Sequence, residues 1–429
     1  MEHQLDIVVV GAGLSGLAAS IQCALSGHLV MVLESARELA EIGAGLQLTP
    51  NATRLLQQWG VYDTVKDQVC EPATLTVLNY QGKVLAQEDG FDNNIRRKYG
   101  APFSDCHRVD LQQALVKRAK ELGVRVILSA KVTSIDVGNA PGSQAEVAIE
   151  GGNIYDADLV VGADGLWSTC RSSFLGRRDP PLPTGDLAYR IVLNINQIKD
   201  PKLRGMVQNP ACRFWAGPDA HVVAYSMRSG NMYNVVLLVP DDLEEGVART
   251  AGDLDEMRKL FEGWDPVLTQ LLECVDRVDK WKLMHRKEME SWVNPHSNLV
   301  LIGDSCHPML PYLAQGANSS IEDGAVLGLL LAPENFTSKE QLPETLQLFQ
   351  QLRKARGEAI ARETFKQRKD FHMRNGPEQE KRDELMLGQL GKELDGAFPS
   401  RWTCPEVQPW LYGYDAVKEV QAAVKSTKT

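Results

Sequence analysis

Asp6-Ile7-Val8-Val9-Val10-Gly11-Ala12-Gly13-Leu14-Ser15-Gly16 is the stretch that decides the fold. A short β-branched run, Leu5 to Val10, meets a glycine turn, and Leu14, Leu17, Ala18, Ile21 and Leu25 then recur at helical spacing. Gly27 stops that helix, Leu29 to Leu33 reads as a second strand, and Glu34 stands at its tip. Strand, glycine turn, helix, strand and acid, in that order, make a βαβ dinucleotide-binding unit. Gly11 permits the tight turn, Gly13 lets the backbone approach a pyrophosphate, and Gly16 lets the helix pack closely on the sheet. The helix N-terminus offers free N–H groups and a partial positive charge to phosphates. The Glu34 carboxylate suits ribose hydroxyls and repels a 2′-phosphate, so the expected nucleotide is FAD or NAD rather than NADP.

Two further strand ends carry similar chemistry. Asp158-Leu159-Val160-Val161-Gly162-Ala163-Asp164-Gly165 is a buried strand running into an Asp-Gly turn, with Ser168 and Arg171 on a polar helix start. Asn298 to Asp304 is a core strand ending in Gly-Asp; beyond it, Gln315-Gly316-Ala317-Asn318 opens a helix whose N-terminus is a natural anion site. Gly43-Ala44-Gly45 predicts close backbone approach to a flat ligand or, almost equally, a simple turn. Arg108 enters an amphipathic helix where a guanidinium can reach a phosphate or flavin, although a surface arginine is the ordinary reading. From 176 to about 284, Val222–Met227 and Tyr233–Val239 alternate as antiparallel strands, and a separate sheet domain fits best. Residues 344 to about 371 read as a solvated helix face, because Glu358, Glu363 and Asp370 interleave with Arg353, Lys354 and Arg356.

Composition agrees with a small-molecule protein. The 429 residues carry 46 Lys+Arg against 56 Asp+Glu, a net charge of −10, which disfavours nucleic acid as a partner. Eight scattered cysteines without a C-x-x-C pair argue against a zinc site, so no metal is expected, and for reduced thiols inside the cell. No signal peptide or membrane-spanning run is evident, which predicts a soluble, cytoplasmic protein.

Three strand-end motifs, at 11–16, 162–165 and 303–304, with a β-rich insertion between the last two, resemble the single-component FAD-dependent aromatic hydroxylases. The salicylate hydroxylase-like branch, with its fungal secondary-metabolite monooxygenases, is nearest, judged from Gly43-Ala44-Gly45, Asp304 to Pro311, Gln315-Gly316-Ala317 and Trp410 to Asp415. The resemblance implies an α/β fold: a Rossmann-like FAD-binding domain of the para-hydroxybenzoate hydroxylase kind, an inserted antiparallel β-sheet substrate domain, and C-terminal helices. It divides the chain into a discontinuous FAD domain (1–175 and 285–335, with an excursion into the substrate domain near 72–102), a substrate domain (176–284) and a helical region (336–429).

By position the resemblance assigns Gly11, Gly13 and Gly16 to the pyrophosphate, Glu34 to the adenosine ribose, and Gly45 and Arg108 to the flavin side. Asp164 goes to a motif associated with FAD and NAD(P)H, Asp304 to the ribityl chain, and Gly316 and Ala317 to the pyrimidine edge of the flavin. Arg190 and Tyr225 are the implied catalytic residues, with His221 an alternative base on the same strand face as Tyr225; His307 is read as structural. The implied reaction uses NADH or NADPH, dioxygen and a flavin C4a-hydroperoxide to insert one oxygen atom into an electron-rich aromatic substrate. Epoxidation or oxidative rearrangement of an indole alkaloid or polyketide is the rival within that chemistry. A flavin-binding redox-sensing or interaction protein is the rival outside it. Monomer or homodimer stays open.

Overall fold

The computed structural model describes residues 3–39, 44–138, 142–392, 394–401 and 403–427; Gly43 lies outside them. A five-stranded parallel sheet holds β1 (Asp6–Val10), β2 (Leu29–Leu33), β7 (Arg125–Ile127), β11 (Leu159–Gly162) and β18 (Leu299–Leu301), in the order β18-β11-β1-β2-β7. Ile7, Val8 and Val9 are buried because both faces of the sheet are covered, one by the helix Leu14–Leu25 and the other by a small sheet built from residues 132–157, which is why the strand reads as an unbroken apolar run rather than an alternating one. The strand order reverses direction at β1, and in open parallel sheets such a reversal leaves a crevice at the strands' C-terminal ends. Gly11 turns the chain there at φ +103, and its N–H donates to the Leu33 carbonyl at 2.8 Å.

Facing that crevice is an eight-stranded sheet of β4 (Thr74–Asn79), β5 (Val84–Asp89), β12 (Leu182–Asn194), β13 (Ala211–Gly217), β14 (Ala220–Met227), β15 (Met232–Pro240), β16 (Arg249–Ala251) and β17 (Asp279–His285). Its order is β16-β17-β12-β15-β14-β13-β4-β5, antiparallel except where β13 meets β4. One face of this sheet buries Leu187, Tyr189, Ile191, Val222, Ala224, Val235 and Leu237 against helices. Alternation then sends Ala188, Arg190, His221, Val223, Tyr225, Val236 and Leu238 to the other face. A two-stranded ribbon, β3 (Gly45–Leu48) with β6 (Ser104–His107), and a three-stranded sheet of β8 (Val132–Asp136), β9 (Ala145–Ile149) and β10 (Ile154–Ala157) complete the strands among the described residues.

The helix Gln315–Leu330 is buried along almost its whole length and packs on Leu14–Leu25. It carries two acids in the interior, Glu322 and Asp323, and these correct the reading of the 344–371 tract as a solvated face. In the helix Leu342–Phe371, Arg353 is fully buried and pairs with Glu322 at 2.7 Å and Asp323 at 2.8 Å, while Arg356 pairs with Glu322 at 2.9 Å. Interleaved charge in the sequence does not show which arginines face inward, and here two of them neutralise acids on the neighbouring helix. Arg171 is likewise buried, holding Asp179 at 2.7 Å and the carbonyls of Ser305 and Lys287. His307 bonds Asp323 at 2.5 Å, and Asp323 also accepts the Gly303 N–H at 2.9 Å, so this network fixes the turn that follows β18.

Candidate functional site

A cavity of about 300 Å³ lies where the C-terminal ends of β1, β11 and β18 meet the open face of the eight-stranded sheet. Gly13, Leu14, Ser15, Ala163, Gly165 and Asp304 form one wall; Arg190, Phe214, His221, Val223, Tyr225 and Val236 form the other. Gly45, Gln47, Arg108, Gly316 and Ala317 join them. Most of the residues singled out from the sequence therefore surround one space.

The first wall fits a dinucleotide. Two helices begin at it, Leu14–Leu25 and Gln315–Leu330, and neither has a side-chain N-cap or an acid in its first turn. Their leading N–H groups are left for an anionic ligand, and each terminus favours negative charge by about 0.3–1 kcal/mol. A Cβ on Gly13 would meet no atom within 4 Å and one on Gly316 only Met309 at 3.7 Å, so the glycines leave an open cradle instead of a filled one. Ala314 precedes the second helix at φ +50, an uncommon conformation for a residue with a Cβ, and it aims that N-terminus into the cavity. Asp304 is open to the groove yet enclosed by surrounding protein. Removal from bulk water holds its carboxyl above the usual range, opposed by His307 and Arg108.

The remaining predicted cofactor residues stand behind this wall. Gly16 packs the first helix so tightly that a Cβ would lie 2.0 Å from the Gly11 carbonyl oxygen. Glu34 accepts the Ala12 and Ala36 N–H groups, each at 2.7 Å, tying the end of β2 to the glycine turn. Asp164 turns away from the cavity and caps the helix Thr169–Leu175, accepting from the Thr169 and Cys170 N–H groups at 2.7 and 2.9 Å. Its neighbours Ala163 and Gly165 line the wall in its place.

On the opposite wall, Val236 pairs with both Arg190 and Val223, Leu238 with Ala188 and His221, and Asn234 with Tyr225. The result is an apolar floor with polar groups at its margins, which suits a flat ring bearing polar substituents. The Arg190 guanidinium lies 4.5 Å from the centre of the Trp281 ring, and Arg249 covers the same ring at 4.4 Å. Burial holds the Tyr225 hydroxyl well above its ordinary range, so at neutral pH it is a neutral hydrogen-bonding group and a poor base. His221 moves the other way: burial, then His372 and Arg368, lower it well below the usual histidine range and keep it neutral, so it faces the cavity as an uncharged imidazole.

Sequence reasoning missed several residues here. Gln47 lines the cavity and donates to Asp105 at 2.8 Å; Asp105 is fully buried, and burial pushes its carboxyl well up. Alternation along β3 already puts Gln47 on the face of Gly45, so that signal was available. Asp105, Trp281 and His372 reach the site only through tertiary packing.

Comparison with known proteins agrees with this geometry. The family described as FAD binding domain matches residues 4–364. The FAD-dependent monooxygenase OpS4 of Beauveria bassiana is 49% identical over 431 residues, spanning 100% of this chain and 99% of that protein. A 3-hydroxybenzoate 6-hydroxylase of Polaromonas naphthalenivorans is 29% identical over 96% of each. A solved salicylate hydroxylase–substrate complex superposes with a TM-score of 0.79 at 20% identity, covering 99% of both chains. With the profile matching most of its length and a monooxygenase matching all of it, the chain belongs to the FAD binding domain family and is an FAD-dependent oxidoreductase of the monooxygenase type.

Proposed function

We propose that the protein hydroxylates an electron-rich aromatic compound, a phenol in particular, at the expense of NADH or NADPH. One observation carries this reading: a single cavity joins two uncapped helix N-termini to an apolar sheet floor edged by Arg190, Tyr225 and His221. In this assignment Gly11, Gly13 and Gly16 hold the FAD pyrophosphate turn, Glu34 lies toward the adenosine ribose, and Asp304 and Arg108 hold the middle of the molecule. Gly45, Gly316 and Ala317 border the flavin ring, and the Asp164 turn shapes the adjoining wall. Bound FAD supplies electron transfer from NAD(P)H and activation of dioxygen.

The chain's own residues do the rest. Arg190 presents positive charge to an anionic substrate, Tyr225 hydrogen-bonds it, and His221 removes the phenolic proton, because a phenolate is the better nucleophile toward electrophilic oxygen. The apolar floor excludes water while oxygen is transferred. Strand membership supports the proposed domain division: 176–284 and the 72–102 excursion build the eight-stranded sheet, and 1–175 with 285–335 supply every strand of the five-stranded one.

The test is a panel of phenolic acids, indoles and polyketide phenols, scored for stimulated NAD(P)H consumption and for product mass. Ring hydroxylation adds one oxygen to an unchanged carbon skeleton; a rearranged skeleton would instead select oxidative rearrangement. Absence of stimulation by every compound in a fully FAD-loaded preparation would overturn the reading.

A further inference from the structure

We propose that His372 is the outer member of a two-imidazole proton path that starts at His221 in the cavity and ends at the protein surface beside Asp219. The proposal rests on the phenol-hydroxylating reading above. His221 lines the cavity from β14, and its Nδ1 lies 2.6 Å from Nε2 of His372, the residue that follows the helix Leu342–Phe371. With Nδ1 committed to His372, Nε2 of His221 is the nitrogen available to a bound hydroxyl. His221 is 2% exposed and His372 9%, so the second ring is the one nearer solvent. Asp219, in the turn between β13 and β14, donates its N–H to the His372 carbonyl at 3.2 Å, and its carboxylate pairs with Arg374 at 2.7 Å on the surface.

The groups packed around the two rings decide how such a path works. Tyr312 and Phe371 set their rings 5.0 and 5.5 Å from His221. Leu238 and Ala216 flank it on the neighbouring strands. Arg368 is the nearby cation, and Asp186 holds it bidentately while accepting the Tyr312 hydroxyl at 2.6 Å. Burial lowers both imidazoles, His372 to about 4, and Arg368 lowers each further against the opposing pull of Asp186 and Asp219 on His372. At neutral pH neither ring keeps an extra proton, so the path begins and ends with both imidazoles neutral.

The balance is simple. The substrate O–H bond breaks as an N–H bond forms at His221 Nε2. The His221 Nδ1–H passes to His372 Nε2, and the His372 Nδ1 proton leaves to water. When the hydroxylated ring rearomatises, its oxygen regains a proton and the path runs in reverse, which restores both tautomers. No oxidant or reductant is needed for these transfers.

The test compares FAD-loaded wild type, His372→Phe and His372→Gln. The probe is the phenol that gives the greatest stimulation in the panel above. Two readouts are taken across pH: turnover, and the stopped-flow absorbance of the phenol mixed with enzyme without NAD(P)H, which reports how fast the bound phenol ionises. Wild type should ionise the phenol rapidly below its solution pKa. Both variants should ionise it about tenfold more slowly there, lose about tenfold in kcat with little change in KM, and recover as pH rises past the phenol's own pKa. Gln keeps a hydrogen bond to His221 but cannot relay a proton, so its matching Phe separates relay from packing. Wild-type ionisation rates and pH profiles in both variants would overturn the proposal, as would a loss that no pH restores. A wild type that no phenol stimulates would instead sink the underlying reading, and this proposal with it.

Discussion

Gly45 and Tyr225 stand so close that a Cβ on residue 45 would lie 2.7 Å from both the Tyr225 ring and its hydroxyl oxygen. Strand β3 and the face of β14 thus touch through a glycine, whose N–H also donates to Asn234 Oδ1 at 2.9 Å. Gly45→Ala should push Tyr225 off its position. Expected effects are a loss of about 1–3 kcal/mol in stability from overpacking and a fall of about a hundredfold in product formation from misplacement of the substrate contact. Thermal unfolding and product assay check both; a variant unchanged in each would show that the contact does not matter.

Arg190 rests on Trp281 in a stacking contact worth about 0.5–2 kcal/mol. Arg190→Ala should retain FAD, seen by its absorbance, yet lower the ratio of product formed to NAD(P)H consumed. Trp281→Leu should do the same more weakly, because it loosens the guanidinium without removing it. Normal coupling in Arg190→Ala would refute its catalytic assignment.

Asp323 holds Arg353, His307 and the Gly303 N–H in the interior. Asp323→Ala leaves Arg353 buried with Glu322 alone, and breaking a buried pair costs about 3–5 kcal/mol. Chemical denaturation of the FAD-loaded protein should show that loss. A change of less than about 1 kcal/mol would mean that water or Glu322 compensates fully.

The same pair sets two pH limits on stability. Burial alone would depress His307, but the charge and hydrogen bond of Asp323 override it and raise His307 above 6.5. A raised histidine contributes stability that is complete below its unfolded value and is lost as pH climbs through the folded one. Melting temperature should therefore decline on the alkaline side of 6.5, and His307→Gln should flatten that decline. Asp323 is the opposite case: His307 and Arg353 overcome burial and bring it down to about 2. Its contribution is present above the ordinary carboxylate range and is lost as pH falls toward 2.

What the sequence made legible was local. The Gly11–Gly16 turn, Glu34 and the strand ending at Asp304 each announce themselves within a few residues, because a turn, a helix start and an apolar run are short-range patterns. Strand alternation also put His221 and Tyr225 on one face, as β14 has them. The partners of these residues were not legible. His372 is 151 residues from His221, Arg353 30 from Asp323, and Trp281 reaches Arg190 only because β17 pairs with β12. Charge pattern misled for Arg353 because one helix face can carry both solvated ions and ions that answer buried acids. The Asp164 carboxylate showed the converse, a motif residue whose side chain is spent on a helix cap.

Phenol hydroxylation is measured most directly as turnover under isotopically heavy dioxygen, using the FAD-loaded protein, NAD(P)H and the phenol that best stimulates its oxidation. The product should be one oxygen atom heavier than the substrate, carrying the label from dioxygen, on an intact carbon skeleton. NAD(P)H consumption with no labelled product, or an added oxygen that comes from water, would contradict it.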